Sequence, residues 1–163
     1  MEQPSVAADR AAITDILYGW CTAIDTRNWA GMRALLTDPV HIDYSSNGSI
    51  SGHMPVEQWI DRLKGLHGFD RTLHMVTNPV VTVEGDTATC VSYVNAMHFL
   101  LHEGRRYGAH ACGVYTHQLA RQPGGGWKIT AAKFDVAGRQ GGHDEFDEAF
   151  AQARALAPSR MPA

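Results

Sequence analysis

The chain has 163 residues, 44% of them hydrophobic and 19% charged, with a formal net charge of -3 and nine histidines. This composition suits one globular domain, residues 1–163, with a sizeable core, and excludes a disordered chain. No basic block or basic–aromatic interleaving points to nucleic acid, and no apolar run is long enough to cross a bilayer as a helix. The opening MEQPSVAADR lacks the basic-then-apolar layout of a signal peptide, so a cytoplasmic location is expected. Cys21, Cys90 and Cys112 are odd in number, widely spaced and set among apolar residues, and read as reduced core thiols.

Residues 9–27 place Ile13, Ile16, Leu17, Trp20 and Ile24 at helical spacing, with Asp9 as N-cap. NWAGMRALL (28–36) reads as a second short helix, stopped by Asp38-Pro39. VHIDYSS (40–46) alternates as a strand, NGS turns, and ISG returns as a brief strand. Pro55 opens a third helix with Val56, Trp59, Ile60 and Leu63 on one face. Four long strands follow at 72–83, 87–101, 105–119 and 127–138. The hairpin signals EGD, HEG and QPGGG separate them. An acidic helix over about 144–156 closes the core (about 9–150), and APSRMPA (157–163) reads as a frayed tail.

Helices first and a long antiparallel meander afterwards make an α+β fold. A strongly curved, mixed, mostly antiparallel sheet wrapped around the N-terminal helices forms a cone-shaped α+β barrel with an interior pocket.

Asp25 sits on the shoulder of the first helix's apolar stripe, in line with Thr14, Tyr18 and Cys21. It lies near the helix C-terminus, where the macrodipole disfavours an anion. Either it serves the helix-ending turn by bonding Thr26, Arg27 or Asn28, or a partner elsewhere requires a carboxylate there. Histidines inside strands are the candidate partners: His74 in TLHM, His98 in VNAMHF and His110 in GAHACG. A buried carboxylate fixes an imidazole's tautomer and raises its basicity, which makes a general base. Tyr44, ending the first strand, is either an ordinary strand tyrosine or a hydrogen-bond donor to a carbonyl that becomes an enolate. No H-x-H, H-E-x-x-H or zinc-spaced Cys/His pair occurs, so no metal and no cofactor is expected. PGGGW lies in a hairpin rather than before a helix, and no G-x-S-x-G elbow is present.

The stretches AIDTRNWAGMRALLTDPVHIDYSS, TLHM, EGDTATCVSYVNAMHF and GGGWKITAAKFD resemble scytalone dehydratase and its bacterial relatives. These belong to the nuclear-transport-factor-2-like (SnoaL-like) superfamily, and the resemblance covers roughly residues 9–150. It implies a cone with a deep pocket. It matches Asp25 to the family's helix aspartate and His74 to the histidine which that aspartate orients, in a metal-free proton abstraction beside a carbonyl. Hexachlorocyclohexane dehydrochlorinase is similar in the same pair. The resemblance matches Tyr44 to one of two tyrosines that hold a water near the substrate carbonyl. The other falls at Ile24, so half of that clamp is missing. A second family histidine falls at Phe99, one residue from His98. The family's pocket serine and asparagine fall at Cys112 and Val114, whose face His110 shares by alternation.

The expected function is a cofactor-independent, dehydratase-type lyase acting on a small cyclic or polyketide-like hydroxy-ketone. In this reading His74 is the base, Asp25 orients it and Tyr44 polarises the oxygen. His98 or His110 protonates the leaving hydroxyl, and Trp20, Met75, Met97 and Phe99 join Tyr44 along the pocket. An isomerase or polyketide cyclase using the same base, or a non-catalytic ligand-binding protein, are the alternatives. A homo-oligomer is expected, a trimer or else a dimer. The resemblance implies it, and so does the face of residues 105–119 carrying Tyr107, Ala109, Ala111, Gly113, Tyr115 and His117, which would then point outward.

Overall fold

A computed structural model describes residues 5–140 and 142–162. The first helix, α1 (Val6–Thr26), begins one turn earlier than its apolar stripe suggests. Ser5 is the N-cap, its hydroxyl accepting from the Ala8 amide at 3.3 Å. Asp9 is therefore not a cap. It is buried and accepts from Arg121 Nη1 and Nη2 at 2.9 and 2.8 Å and from Trp127 Nε1 at 2.9 Å. A buried carboxylate of this kind persists only when its oxygens are satisfied in this way. Helix α2 (Trp29–Leu35) is capped by the Asn28 side chain. It stops before Asp38-Pro39, because residues 36–43 already form strand β1 (Leu36–Asp43). Strand β2 (Ser51–Met54), helix α3 (Val56–Leu63) and a 3-10 turn (Lys64–Gly68) lead into the meander: β3 (Arg71–Glu84), β4 (Thr87–His102), β5 (Arg105–Arg121) and β6 (Trp127–Gln140).

The sheet has six strands in the order β2-β1-β6-β5-β4-β3. It is mixed and open: β1 runs parallel to β6, and all the other neighbours are antiparallel. The hairpin turns fall where the glycines do, with Gly85, Gly104 and Gly125 at φ of +63°, +76° and +86°. Helix α1 buries Ile13, Leu17, Trp20 and Ile24 against the concave face. A bulge at Asn78-Pro79 shifts the register of β3 between Thr77 and Val80. The shift lets Val81 turn inward although it is an odd number of residues from inward His74.

The final helix, α4 (Gly142–Arg160), runs on through Pro158. Residues 157–160 are thus helix rather than frayed tail. Ala157 is buried, and Arg160 Nη1 donates to the Gly68 carbonyl at 2.7 Å and to Asp70 Oδ1 at 2.8 Å. The helix crosses the 3-10 turn so closely that a Cβ on Gly68 would lie 1.7 Å from the Ala153 carbonyl oxygen. Only glycine permits that approach.

Candidate functional site

Between the concave face of the sheet, α3 and α4 lies a cavity of about 1070 Å³. Register decides which side chains reach it, because directly paired residues share a face. His74 pairs with Ala96, Ala96 with Ala111, Thr72 with His98, and His98 with Ala109. His74, Ala96, His98 and Ala111 line the cavity.

The same register places Met97 beside His110 and Phe99 beside Gly108 on the convex face. Three expectations fail here. Met97, Phe99 and His110 do not line the pocket, and the His110 ring instead meets Phe99 (centroids 5.4 Å apart) and Gln140 Oε1 at 3.0 Å. Because His98 and Ala109 are opposite one another, His98 and His110 cannot both point inward. The face of Ala109, Ala111, Gly113, Tyr115 and His117 is the inner one, so it offers no contact surface. Its small residues leave room for the cavity. Cys112 is exposed rather than a core thiol, whereas Cys21 and Cys90 are buried and all three are free. Met75 is 43% exposed on the outer face. Trp20 is fully buried behind the cavity wall, with its ring stacked 6.2 Å from that of Trp59, which does line it.

Asp25 and His74, 49 residues apart, meet at the cavity wall, which His74 lines. His74 Nδ1 lies 2.7 Å from Asp25 Oδ1, the His74 amide donates to Oδ2 at 2.8 Å, and Thr72 Oγ1 donates to Oδ1 at 2.9 Å. Arg27, in the left-handed position that ends α1, donates to Thr72 Oγ1 at 2.7 Å and to the Leu66 carbonyl at 2.8 Å. Burial pulls the Asp25 carboxyl upward, but the hydrogen bonds from the His74 ring, the His74 amide and Thr72 outweigh it and hold it below its ordinary value. An ionised Asp25 accepts from Nδ1–H, so the neutral ring carries its lone pair on Nε2. Thr72 has a signal in the sequence, being two residues before His74 and so on the same strand face.

His98 lies in the cavity wall with its ring 5.2 Å from that of His74. Its Nδ1 lies 2.9 Å from the Ala109 carbonyl, which can only accept, so Nδ1 carries the proton and Nε2 is an acceptor. Burial, aided by the neighbouring His74, pushes its pKa down to about 3. A neutral imidazole with this tautomer accepts a hydrogen bond from a hydroxyl at Nε2, while its own N–H is held by the Ala109 carbonyl. His110, on the convex face, is not placed to protonate a leaving group in the cavity, and His98 directs its Nδ1 proton to the Ala109 carbonyl.

Tyr44 also lines the cavity, packed on Trp59 and Phe134 with centroids 5.3 and 5.6 Å away. Burial pushes its phenol well above the ordinary value, so it remains a hydrogen-bond donor. Among the described residues, no group of three or more His, Cys, Asp or Glu side chains gathers as metal ligands, and no helix is long and apolar enough to cross a membrane.

An uncharacterized protein of Mycobacterium tuberculosis, Rv2910c, is 33% identical over 124 residues, 75% of this chain and 81% of that protein. Among solved structures, the Kfla4162 protein of Kribbella flavida superposes with a TM-score of 0.79 at 24% identity, covering 92% of this chain and 99% of that one. A candidate scytalone dehydratase of Novosphingobium aromaticivorans gives 0.70 at 19% identity over 82% and 87%. The hexachlorocyclohexane dehydrochlorinase LinA-type3 of Novosphingobium barchaimii gives 0.70 at 20% over 84% and 94%. At these identities the structural likeness is one of fold. A model of the SnoaL-like domain matches residues 5–133, and with the curved open sheet and its interior cavity this shows that the chain belongs to the SnoaL-like domain family.

Proposed function

We propose that the protein is a cofactor-independent lyase that eliminates water from a small cyclic or polyketide-like hydroxy-ketone. The observation that carries this reading is the Asp25–His74 pair, in which the contact of Nδ1 with Oδ1 leaves Nε2 free of that bond on a residue that lines the cavity. His74 Nε2 takes the proton from the carbon α to the carbonyl, and the C–H electron pair moves into the enolate. Asp25 keeps the ring oriented and stabilises the imidazolium. Tyr44 donates to the oxygen that gains charge. The enolate then expels the β-hydroxyl as the carbon–carbon double bond forms. The same His74 Nε2–H returns its proton to that oxygen, so water leaves and the histidine is restored. His98 Nε2 accepts a hydrogen bond from a substrate hydroxyl and so selects hydroxylated ligands.

Support by analogy comes from the fold neighbours named for dehydratase and dehydrochlorinase activity, both eliminations. The free, buried thiols of Cys21 and Cys90 suit a cytoplasmic setting. Assembly into a homotrimer, or else a dimer, uses the convex face. There Leu73, Met75, Tyr93, Phe99 and Leu101 are 40–57% exposed and close together through the β3–β4 register.

The test is incubation with a panel of cyclic β-hydroxy-ketones, followed by mass spectrometry. Loss of one water, abolished in His74→Ala, supports the lyase. A product of unchanged mass identifies the isomerase or cyclase alternative, and no product with any member refutes the reading.

A further inference from the structure

His98 lines the cavity from a buried position, whereas Arg62 and Arg154 line it and are exposed, so the two arginines mark its mouth. Arg62 comes from the last turn of α3. Arg154 comes from α4, and its Cγ lies 3.8 Å from where a Cβ on Gly65 would stand, so its stem lies over the 3-10 turn. Behind the mouth the wall is aromatic, with Tyr44, Trp59, Phe134 and Phe150. At about 1070 Å³ the cavity matches the upper end of the range that holds drug-sized ligands, which leaves length for a ligand reaching from His74 to the mouth.

The acids around this mouth are already taken. Asp61 Oδ1 lies 2.6 Å from Lys64 Nζ, and Asp147 Oδ1 lies 3.7 Å from Arg139 Nη1. Glu57 pairs with Arg33, and Glu148 with Arg105. Among the described residues, Arg62 has one partner, the neutral Ser49 hydroxyl, to which Nη2 donates at 2.9 Å. Arg154 has no hydrogen bond or ion pair among them. The sequence explains both. The positions three and four residues from Arg62 are Gln58, Trp59, Gly65 and Leu66, and those from Arg154 are Phe150, Ala151, Ala157 and Pro158. None carries a carboxylate, so neither guanidinium is neutralised along its own helix.

We propose that Arg62 and Arg154 form an anion-binding mouth, and that the ligand is an amphipathic acid with its ring body inside the cavity and a carboxylate or phosphate at its outer end. A guanidinium fork matches either anion bidentately. Two uncompensated guanidinium groups at the opening of a low-dielectric cavity also draw anions toward it. The chain as a whole carries a net charge of -3, so this basic mouth is a local feature and not a property of the entire surface. The arginines touch the end of the ligand that does not react, so they govern affinity and selectivity and leave the chemical step to His74. The proposal narrows the hydroxy-ketone of the lyase reading to one that bears an acid group, and it rests on that reading for turnover. Its binding half is tested without turnover.

The experiment titrates the protein with two fluorescent probes that share one aromatic body, the anion anilinonaphthalene sulfonate and the neutral phenylnaphthylamine. Arg62→Gln and Arg154→Gln should each weaken sulfonate binding about threefold to tenfold, and the double variant more, while the neutral probe stays within about twofold. Added salt should weaken the sulfonate in the wild type and have little effect in the double variant. Arg71→Gln should change neither probe. Arg71 is exposed on the convex face beside Phe99, so this variant separates the cavity from the apolar outer surface. Displacement of the sulfonate by naphthoate and by naphthyl phosphate distinguishes the two sources of the anion, the stronger displacer naming the group. Sulfonate binding within twofold of the wild type in the double variant would overturn the proposal. So would equal weakening of both probes, an Arg71→Gln effect as large as the others, or no displacement by either anion at millimolar concentration. Loss of turnover in His74→Ala alongside unaltered sulfonate binding in the double variant would leave the lyase standing and remove the anion site. Weakened sulfonate binding in the double variant, with no water lost from any hydroxy-ketone, acidic or neutral, would leave the anion site standing and remove the lyase.

Discussion

Asp25 grips His74 twice: Oδ2 accepts from its backbone amide at 2.8 Å, and Oδ1 meets its ring Nδ1 at 2.7 Å. The first bond fixes where β3 begins relative to the end of α1, and the second fixes the tautomer of the ring. One carboxylate thus holds both the strand and the imidazole, which accounts for an anion in the last turn of a helix.

Replacing His74 by Ala is expected to lower the rate by about 10²–10⁴ while leaving the fold intact, the usual cost of losing a positioned general base. Steady-state kinetics with circular dichroism checks this. Retention of more than half the activity would remove His74 from the mechanism.

Asp25→Asn should be almost as damaging to turnover although it is nearly isosteric. An amide cannot stabilise an imidazolium, and its NH₂ group presents a donor where the backbone and ring both donate. The broken hydrogen bonds should also cost about 1–3 kcal/mol of stability. Paired activity and urea-unfolding measurements check both halves. A variant neutral in activity would return Asp25 to the role of a turn residue.

Acidification should destabilise the fold well before the carboxylates titrate. Burial pushes His98 down to about 3 and His117 down to about 4, from an ordinary value of 6.5. The unfolded chain therefore binds these protons first. Their stabilising contribution is complete above about pH 6.5 and is lost as pH falls toward the folded values, at about 1.4 kcal/mol per pH unit for each ring. Neither ring nitrogen of His117 has a partner among the described residues. His117→Phe should thus reduce the pH slope by one proton and leave the protein at least as stable at pH 5. Urea midpoints at pH 7, 6 and 5 provide the comparison, and an unchanged slope would contradict a neutral buried ring.

Phe99→Glu should break the assembly without touching the cavity, since Phe99 is 40% exposed on the opposite face of the sheet. Sedimentation velocity at micromolar concentration should show an oligomer for the wild type and a smaller species for the variant. A wild-type monomer would refute the contact.

Local periodicity and turn chemistry encode the elements of this fold. Ile13, Leu17, Trp20 and Ile24 repeat at helical spacing and are buried on one helix. The four long strands begin and end within two residues of their expected limits, because glycine-bearing turns interrupt the alternation at defined places. The α+β class and the curved sheet follow from that order of elements. Asp25 stands out in the sequence as an anion near a helix C-terminus and His74 as a histidine inside a strand, whereas Tyr44 fits an ordinary strand equally well; the roles expected of them come from the resemblance to a known family. Tertiary structure alone decided the rest. It paired Asp9 with Arg121, 112 residues away, and turned the apparent tail at 157–160 into the end of a helix held by Gly68 and Asp70. Above all it chose the faces of β4 and β5. Both faces of these strands carry apolar side chains, with Val94 and Leu100 on one and Met97 and Phe99 on the other, so alternation cannot say which turns inward. The choice is made by register, where a shift of one residue exchanges every side chain between core and surface. Pairing His98 with Ala109 sent His110 outward and brought Tyr115 into the cavity.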